Sequence, residues 1–211
     1  MTIANDARFW DRSSRKYAMS AIGDQAGYER TLRRTRSLLQ PGDKVLELGC
    51  GTGTTALRLA DQVQNYLATD ISVGMIAIAH EKHAASPVPT LAFRTATAEA
   101  LGPDTPPFDA VLGFNYLHLV RDLPGTLHRI HDLLTAEGLF ISKTPCVGDM
   151  NPLIRLALPV MRAVGKAPYA GVFREAELSR RIDAAGFDIL ATENHAAKGD
   201  DCRPFIVARK R

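Results

Sequence analysis

Lys44-Val45-Leu46-Glu47-Leu48-Gly49-Cys50-Gly51-Thr52-Gly53-Thr54 is the stretch that decides how this chain folds. Lys44 to Leu48 is a short, mostly apolar run and reads as a buried strand. Three alternating glycines end it, and Thr54 to Gln62 then reads as a helix. A strand that turns through glycines into a helix leaves its backbone bare at the carboxyl end. A side chain at Gly49 or Gly51 would block a ligand lying across that end. Glycine also adopts the positive φ of such a turn at little cost.

The same alternation continues outward. Tyr66 to Thr69 reads as a second strand ending at Asp70, and Ser72 can cap a helix running to Ala84. Strands are expected at Thr90–Arg94, Phe108–Phe114 and Gly138–Lys143, with a helix over Asp122–Leu134. A helix over Glu175–Ala185 stops at Gly186, before strands near Phe187–Ala191 and Pro204–Ala208. Upstream, Asn5–Met19 and Gly27–Leu39 read as helices, the second stopped by Pro41-Gly42. Strands alternating with helices of this length build βαβ units. The expected fold is therefore α/β: a Rossmann-like, doubly wound, mostly parallel seven-stranded sheet with helices on both faces. Residues 1–211 read as one domain. It comprises an N-terminal helical cap (1–40), a core (41–144), an inserted helical lid (145–173) and a C-terminal helix with strands (174–211). Such sheets bind ligands beyond the carboxyl ends of their strands, where strand order reverses.

Composition narrows the class. Apolar residues are 45% and charged residues 23% of the 211, which suits a globular domain with its own core. A net charge of +3 permits an anionic partner without demanding one. Cys50, Cys146 and Cys202 are odd in number and widely spaced, so neither a disulfide framework nor a zinc site is expected. They suit the reducing cytoplasm. Met1 to Trp10 is polar and reads as no signal peptide, and no apolar run is long enough to span a bilayer.

The loop's chemistry narrows the ligand. Asp70 ends the next strand, where a carboxylate can accept hydrogen bonds from both hydroxyls of a ribose. A dinucleotide fingerprint asks for glycine or alanine where this chain has Thr54. Glu47 sets a carboxylate at the strand end, which suits a ligand with an ammonium group and suits pyrophosphate poorly. A nicotinamide-dependent oxidoreductase is the disfavoured alternative on these two residues.

Val45 to Gly53 resembles motif I of the class I S-adenosylmethionine-dependent methyltransferases, and the likeness runs over about residues 5 to 143. Asp70-Ile71-Ser72 with Met75 resembles the family's second-strand motif. The resemblance implies that Asp70 holds the ribose and that Ile71 packs on adenine, with Met75 beside it. Thr97-Ala98-Glu99-Ala100-Leu101 resembles the family's D-A-E-x-L, with Thr97 in place of its first acid. This implies that Ala98 and Glu99 read the adenine edge. Phe108-Asp109-Ala110-Val111 resembles the opening of the fourth strand, and Leu133 to Leu139 the turn before the fifth. Trp10-Asp11 and Tyr17 match a segment that closes over the cofactor in small-molecule enzymes, with Ser14 where alanine is common. The implied cofactor is S-adenosyl-L-methionine, held by Trp10, Tyr17, Glu47, Gly49, Gly51, Asp70, Ile71, Met75, Ala98, Glu99 and Asn115, with no metal.

Methyl transfer is an in-line displacement, so the protein mainly aligns donor and acceptor. The segment after the fourth strand, Phe114 to His118, is expected to face the reacting end. Asn115 could orient the ammonium group. His118 is the leading general-base candidate because an ordinary imidazole titrates near neutrality. Tyr28, Tyr169 and His195 are further candidates. Asn115-Tyr116-Leu117-His118 lacks the prolines of nucleic-acid amino-methyltransferases, and Cys146 reads as a loop cysteine. Residues 145–173 hold a helix beginning near Asn151 or Pro152, nearly all apolar, with a basic stripe of Arg155, Arg162 and Lys166 and a kinking Pro159. They read as a packed lid over a small-molecule pocket, as an interfacial helix touching lipid through 152–166, or as a dimer contact. The lid also makes the chain similar to bacterial quinone-precursor and phospholipid-headgroup methyltransferases. A tRNA or protein methyltransferase, or a domain that holds cofactor without using it, stands behind these.

Overall fold

The computed structural model describes residues 2–102, 105–163, 167–199 and 202–211, with the backbone alone at 154–156, 160 and 163. Helices α1 (Ile3–Ala18) and α2 (Gln25–Arg36) lead into β1 (Lys44–Leu48), α3 (Ala56–Leu59), β2 (Asn65–Asp70) and α4 (Val73–Ala85). Next come β3 (Leu91–Thr95), β4 (Phe108–Phe114), α5 (Leu123–Leu133) and β5 (Leu134–Lys143). The lid helix α6 (Pro152–Ala163), α7 (Glu175–Ala184), β6 (Phe187–Glu193) and β7 (Phe205–Lys210) complete the chain.

The seven strands form one sheet in the order β3-β2-β1-β4-β5-β7-β6. β1 pairs in parallel with both β2 and β4, so strand order reverses at its two flanks. The gap beyond the carboxyl ends of β1 and β4 is the expected binding crevice. β7 runs antiparallel to its neighbours β5 and β6. The α/β, mostly parallel expectation holds, and the last strand slots inside the edge rather than outside it.

Strand β1 shows how the sequence builds two cores. Leu46 and Leu48 are buried among Val111, Leu127, Ile130 and Phe140 on the face covered by α5 and α7. Val45 points the other way and joins Leu32, Leu59, Ala79 and Ile141 beneath α2, α3 and α4. Both faces are covered, which is why the strand is almost wholly apolar.

Caps set the helix starts. The Ser72 hydroxyl accepts the Met75 N–H at 3.0 Å, and Asp122 accepts that of Gly125 at 3.0 Å. Two boundaries differ from expectation. The helix expected over Thr54–Gln62 is a single α-turn, Ala56–Leu59, tightened to a 3₁₀ turn over Ala60–Gln62. The chain must reach Asn65 to begin β2, and the shorter helix allows it. β5 begins at Leu134 rather than Gly138, because Leu134 pairs with Phe108 before the ladder resumes at Ala110 and Leu139. The intervening residues bulge out with Glu137 at φ 61°.

Candidate active site

A cavity of about 650 Å³ opens at the carboxyl ends of β1, β2 and β4, a size suited to small ligands. Of the residues expected to hold cofactor, Trp10, Tyr17, Gly49, Gly51, Asp70, Ile71, Met75, Glu99 and Asn115 line it. Gly49 has φ +70°, and a Cβ there would meet the Tyr116 ring at 2.8 Å. Gly51 has φ +55°, and a Cβ there would meet only Tyr17 Cε1 at 3.7 Å, so its backbone lies open to the cavity. This is a cradle that a side chain would fill.

Asp70 is fixed at the tip of β2. Its Oδ2 accepts the Gly51 N–H at 3.0 Å and its Oδ1 the Ser72 N–H at 2.9 Å. Burial pushes this carboxyl up, against the pull of those amides. Each oxygen keeps a lone pair for a ligand hydroxyl. The Glu99 carboxylate is steadied by the Thr126 hydroxyl at 2.7 Å. Asn115 sits at φ 51° where β4 ends, its N–H bonded to Lys143 O at 2.7 Å. Thr97, which replaces an acid of the family motif, also lines the cavity.

Two expected residues do not line it. Glu47 alternates onto the Val45 face of β1, where it is buried and accepts the Tyr66 hydroxyl at 2.9 Å. Burial pushes its carboxyl up to about 7, with Asp70 adding to the rise and Tyr66 opposing it. Ala98 is fully buried, and its neighbours Thr97 and Glu99 face the cavity instead.

Helix α1 roofs the part of the cavity beside the glycine turn. Trp10 and Tyr17 lie on one face, their rings edge to face at 6.1 Å. Asp11 ties this roof to the sheet: its Oδ1 accepts the Ser72 hydroxyl at 2.6 Å and the Gly74 N–H at 3.0 Å. One aspartate thus binds the cap helix to the start of α4.

The other half of the cavity is lined by His118, Leu119, Val120, Pro145, Tyr169 and Arg203. His118 Nδ1 lies 3.0 Å from the buried Thr144 hydroxyl, which also accepts the His118 N–H at 3.3 Å. Burial and then Arg203 lower the imidazole to about 4. His118 is therefore neutral at neutral pH, and its reading as a base titrating near neutrality is corrected. Of the lesser candidates Tyr169 lines the cavity. Tyr28 instead shares a hydrogen bond with Thr55 at 3.2 Å, and His195 is buried against Phe205, bonded to Thr31 and Glu193. Burial pushes the Cys146 thiol up to about 12, which disfavours its thiolate at neutral pH.

The rim is clasped by residues far apart in the chain. Arg121 bonds Asp6 of α1 through two nitrogens, at 2.7 and 2.9 Å. Its guanidinium also lies 4.6 Å from the Tyr169 ring, and that of Arg162 lies 4.8 Å from it. Arg162 is thus spent on the lid itself, while Lys166 and the Arg155 side chain of the expected stripe lie outside the described residues. The lid's far end is pinned where Gly171 donates to His118 O at 2.7 Å. α6 runs through Pro159 without ending. Asp6, Arg121 and Arg203 belong to no motif, and only the folded chain brings them to one rim.

Among the described residues no group could hold a metal ion, and no helix is long and apolar enough to cross a membrane.

Comparison with known proteins gives this site its class. A methyltransferase-domain family model matches residues 45–138. Demethylmenaquinone methyltransferase of Mycolicibacterium gilvum is 31% identical over 208 residues, 89% of this chain and 88% of that one. Ubiquinone biosynthesis O-methyltransferase of Sinorhizobium fredii is 26% identical over 188 residues, 80% and 73% of the two chains. Magnesium protoporphyrin IX methyltransferase of Synechocystis PCC 6803, solved with bound S-adenosylhomocysteine, shares the fold with a TM-score of 0.72 at 19% identity, covering 98% of this chain and 95% of its own. The chain belongs to the class I S-adenosylmethionine-dependent methyltransferases. S-adenosylmethionine is its cofactor, and its activity is methyl transfer to a small molecule.

Proposed function

We propose that the methyl acceptor is a hydroxylated aromatic ring of the quinone-precursor type, methylated in the cytoplasm at a lipid surface. The carrying observation is the make-up of the acceptor half. Leu119, Val120, Pro145 and Pro168 supply an apolar slot, the Tyr169 ring supplies a stacking face, and His118 and Arg203 are its polar groups. A flat ring bearing oxygens matches that combination. One relative is by name a demethylmenaquinone methyltransferase and another a ubiquinone biosynthesis O-methyltransferase, which supports the same class.

When bound, the cofactor supplies a sulfonium-activated methyl group whose C–S electron pair stays with sulfur. Trp10, Tyr17, Gly49, Gly51, Asp70, Ile71, Met75, Glu99 and Asn115 would hold it, with the α1 roof excluding water. Leu153 and Met161 on α6 are 71% and 44% exposed, which supports lipid contact through 152–166. The small net charge offers little to a nucleic-acid partner.

The test is transfer of labelled methyl from S-adenosylmethionine to a panel: 1,4-dihydroxynaphthalene, catechol, a primary amine and a fatty acid. The ring hydroxyl compounds should be labelled. Labelling confined to the amine or the fatty acid would sink the reading.

A further inference from the structure

The Thr144 hydroxyl fixes what His118 can do. Thr144 is fully buried at the end of β5, and its oxygen accepts the backbone N–H of His118. A buried hydroxyl also donates its own proton where an acceptor is in reach. Among the described residues Nδ1 of His118, at 3.0 Å, is that acceptor. Nδ1 is then unprotonated, and the neutral ring carries its hydrogen on Nε2. Nδ1 is occupied by Thr144, so Nε2 is the nitrogen left for the cavity that His118 lines. In this tautomer the cavity meets a donor, and a donor cannot take a proton. Arg203 lies near enough to depress the imidazole through its charge and lines the same half. A guanidinium has five N–H donors, so it can hold an anionic oxygen beside any partner within the protein. The carboxylates that also line this region are engaged. Asp6 is paired with Arg121, and Asp122 caps α5.

We propose that His118 and Arg203 together bind the acceptor's oxygen as an anion, His118 through its Nε2–H and Arg203 through its guanidinium. The acceptor hydroxyl loses its proton to solvent on entry, and no side chain removes it. The new O–C bond then forms with the oxygen's own electron pair as the C–S bond breaks. Binding the ionised form is the specificity, and it selects acidic ring hydroxyls over amines and aliphatic alcohols.

This inference rests on the ring-hydroxyl reading above, and its test reads binding rather than turnover. The full chain saturated with S-adenosylhomocysteine is titrated with 4-nitrocatechol, whose colour reports its ionisation. The bound probe should ionise at lower pH than the free one, its ionisation constant raised at least about tenfold. Arg203→Gln and His118→Phe should each erase most of that shift, while His118→Gln, which keeps an N–H donor, should keep much of it. Unchanged S-adenosylhomocysteine affinity in each variant checks that the fold survives. In transfer assays, His118→Gln should lose less activity than His118→Phe, and the pH dependence of kcat/KM should move with the acidity of the acceptor. A bound probe that titrates like the free one, or a wild type that does not bind it, overturns the proposal. So does a shift that survives both Arg203→Gln and His118→Phe, or a His118→Gln variant as inactive as His118→Phe. If ring hydroxyls are labelled in the panel but the probe is not shifted, the anion pair alone falls. If only amines are labelled, the acceptor class falls with it.

Discussion

Asp70 shows how much chemistry one side chain can carry. Both of its oxygens are held by backbone amides, so the carboxylate is already aimed when a ligand arrives. In the proposed role, it would accept two hydrogen bonds from the ribose, and its removal would delete them. We expect Asp70→Ala to weaken S-adenosylhomocysteine binding at least tenfold, about 1.4 kcal/mol or more by calorimetry. Unchanged affinity would remove Asp70 from the site. Glu47 makes a different prediction. Its folded-state pKa, about 7, lies above that of an exposed glutamate, so the folded protein keeps this proton longer than the unfolded chain does. Stability from this group is present at low pH and is lost as pH rises from the ordinary carboxylate range through about 7. Glu47→Gln, which keeps an acceptor for Tyr66, should therefore raise stability by roughly 2–3 kcal/mol at pH 8 and change it little at pH 5, read by urea unfolding. The glycines and Asp70 were legible because the backbone turn and the strand tip dictate them. Glu47 was misread because the pleat, and not its place in the motif, decides which face a strand residue takes. His118 was found, but its hydrogen-bond partner Thr144 lies far along the chain, and its chemistry turns on that partner.

Elements were legible where one periodicity ran uninterrupted. α4 announced itself through Ser72, whose cap is as expected, and the α5 expected from Asp122 onward turns out to be capped by that residue. α3 was read too long because apolar spacing does not reveal how soon the next strand must start. β5 was read too short because its pairing at Leu134 is non-local. The insertion of β7 between β5 and β6 left no local trace, although it sets Arg203, just before β7, at the cavity. The join between α1 and α4 is testable at this scale. Asp11 alone accepts both the Ser72 hydroxyl and the Gly74 N–H. Asp11→Ala should cost about 1–2 kcal/mol of local stability and speed amide exchange across Ile3–Ala18, with the amides of β1 unaffected. Equal protection of α1 in both proteins would show that Asp11 does not hold the roof.

For the whole molecule, the sheet with its glycine turn was evident from the sequence and the opposite rim of the cavity was not. The core rests on local turns, whereas the rim assembles residues from α1, the segment after β4, the lid and the approach to β7. The exposed Leu153 and Met161 predict that the protein floats with vesicles containing anionic lipid at low salt, and that Leu153→Glu lowers the bound fraction severalfold. Failure of the wild type to float would leave α6 as a packed lid only.

The clasp between Asp6 and Arg121 joins α1 to the segment after β4 across the rim. Asp6→Asn should speed S-adenosylhomocysteine release about tenfold, the equivalent of ~1.4 kcal/mol. The chain carries its own means of watching this. Trp10 is its one tryptophan, and it sits on the roof helix with its ring against Tyr17 and Phe9. Its fluorescence therefore comes from the roof helix, beside the cavity it lines, so one emission trace, with no label attached, should time the arrival and release of a ligand.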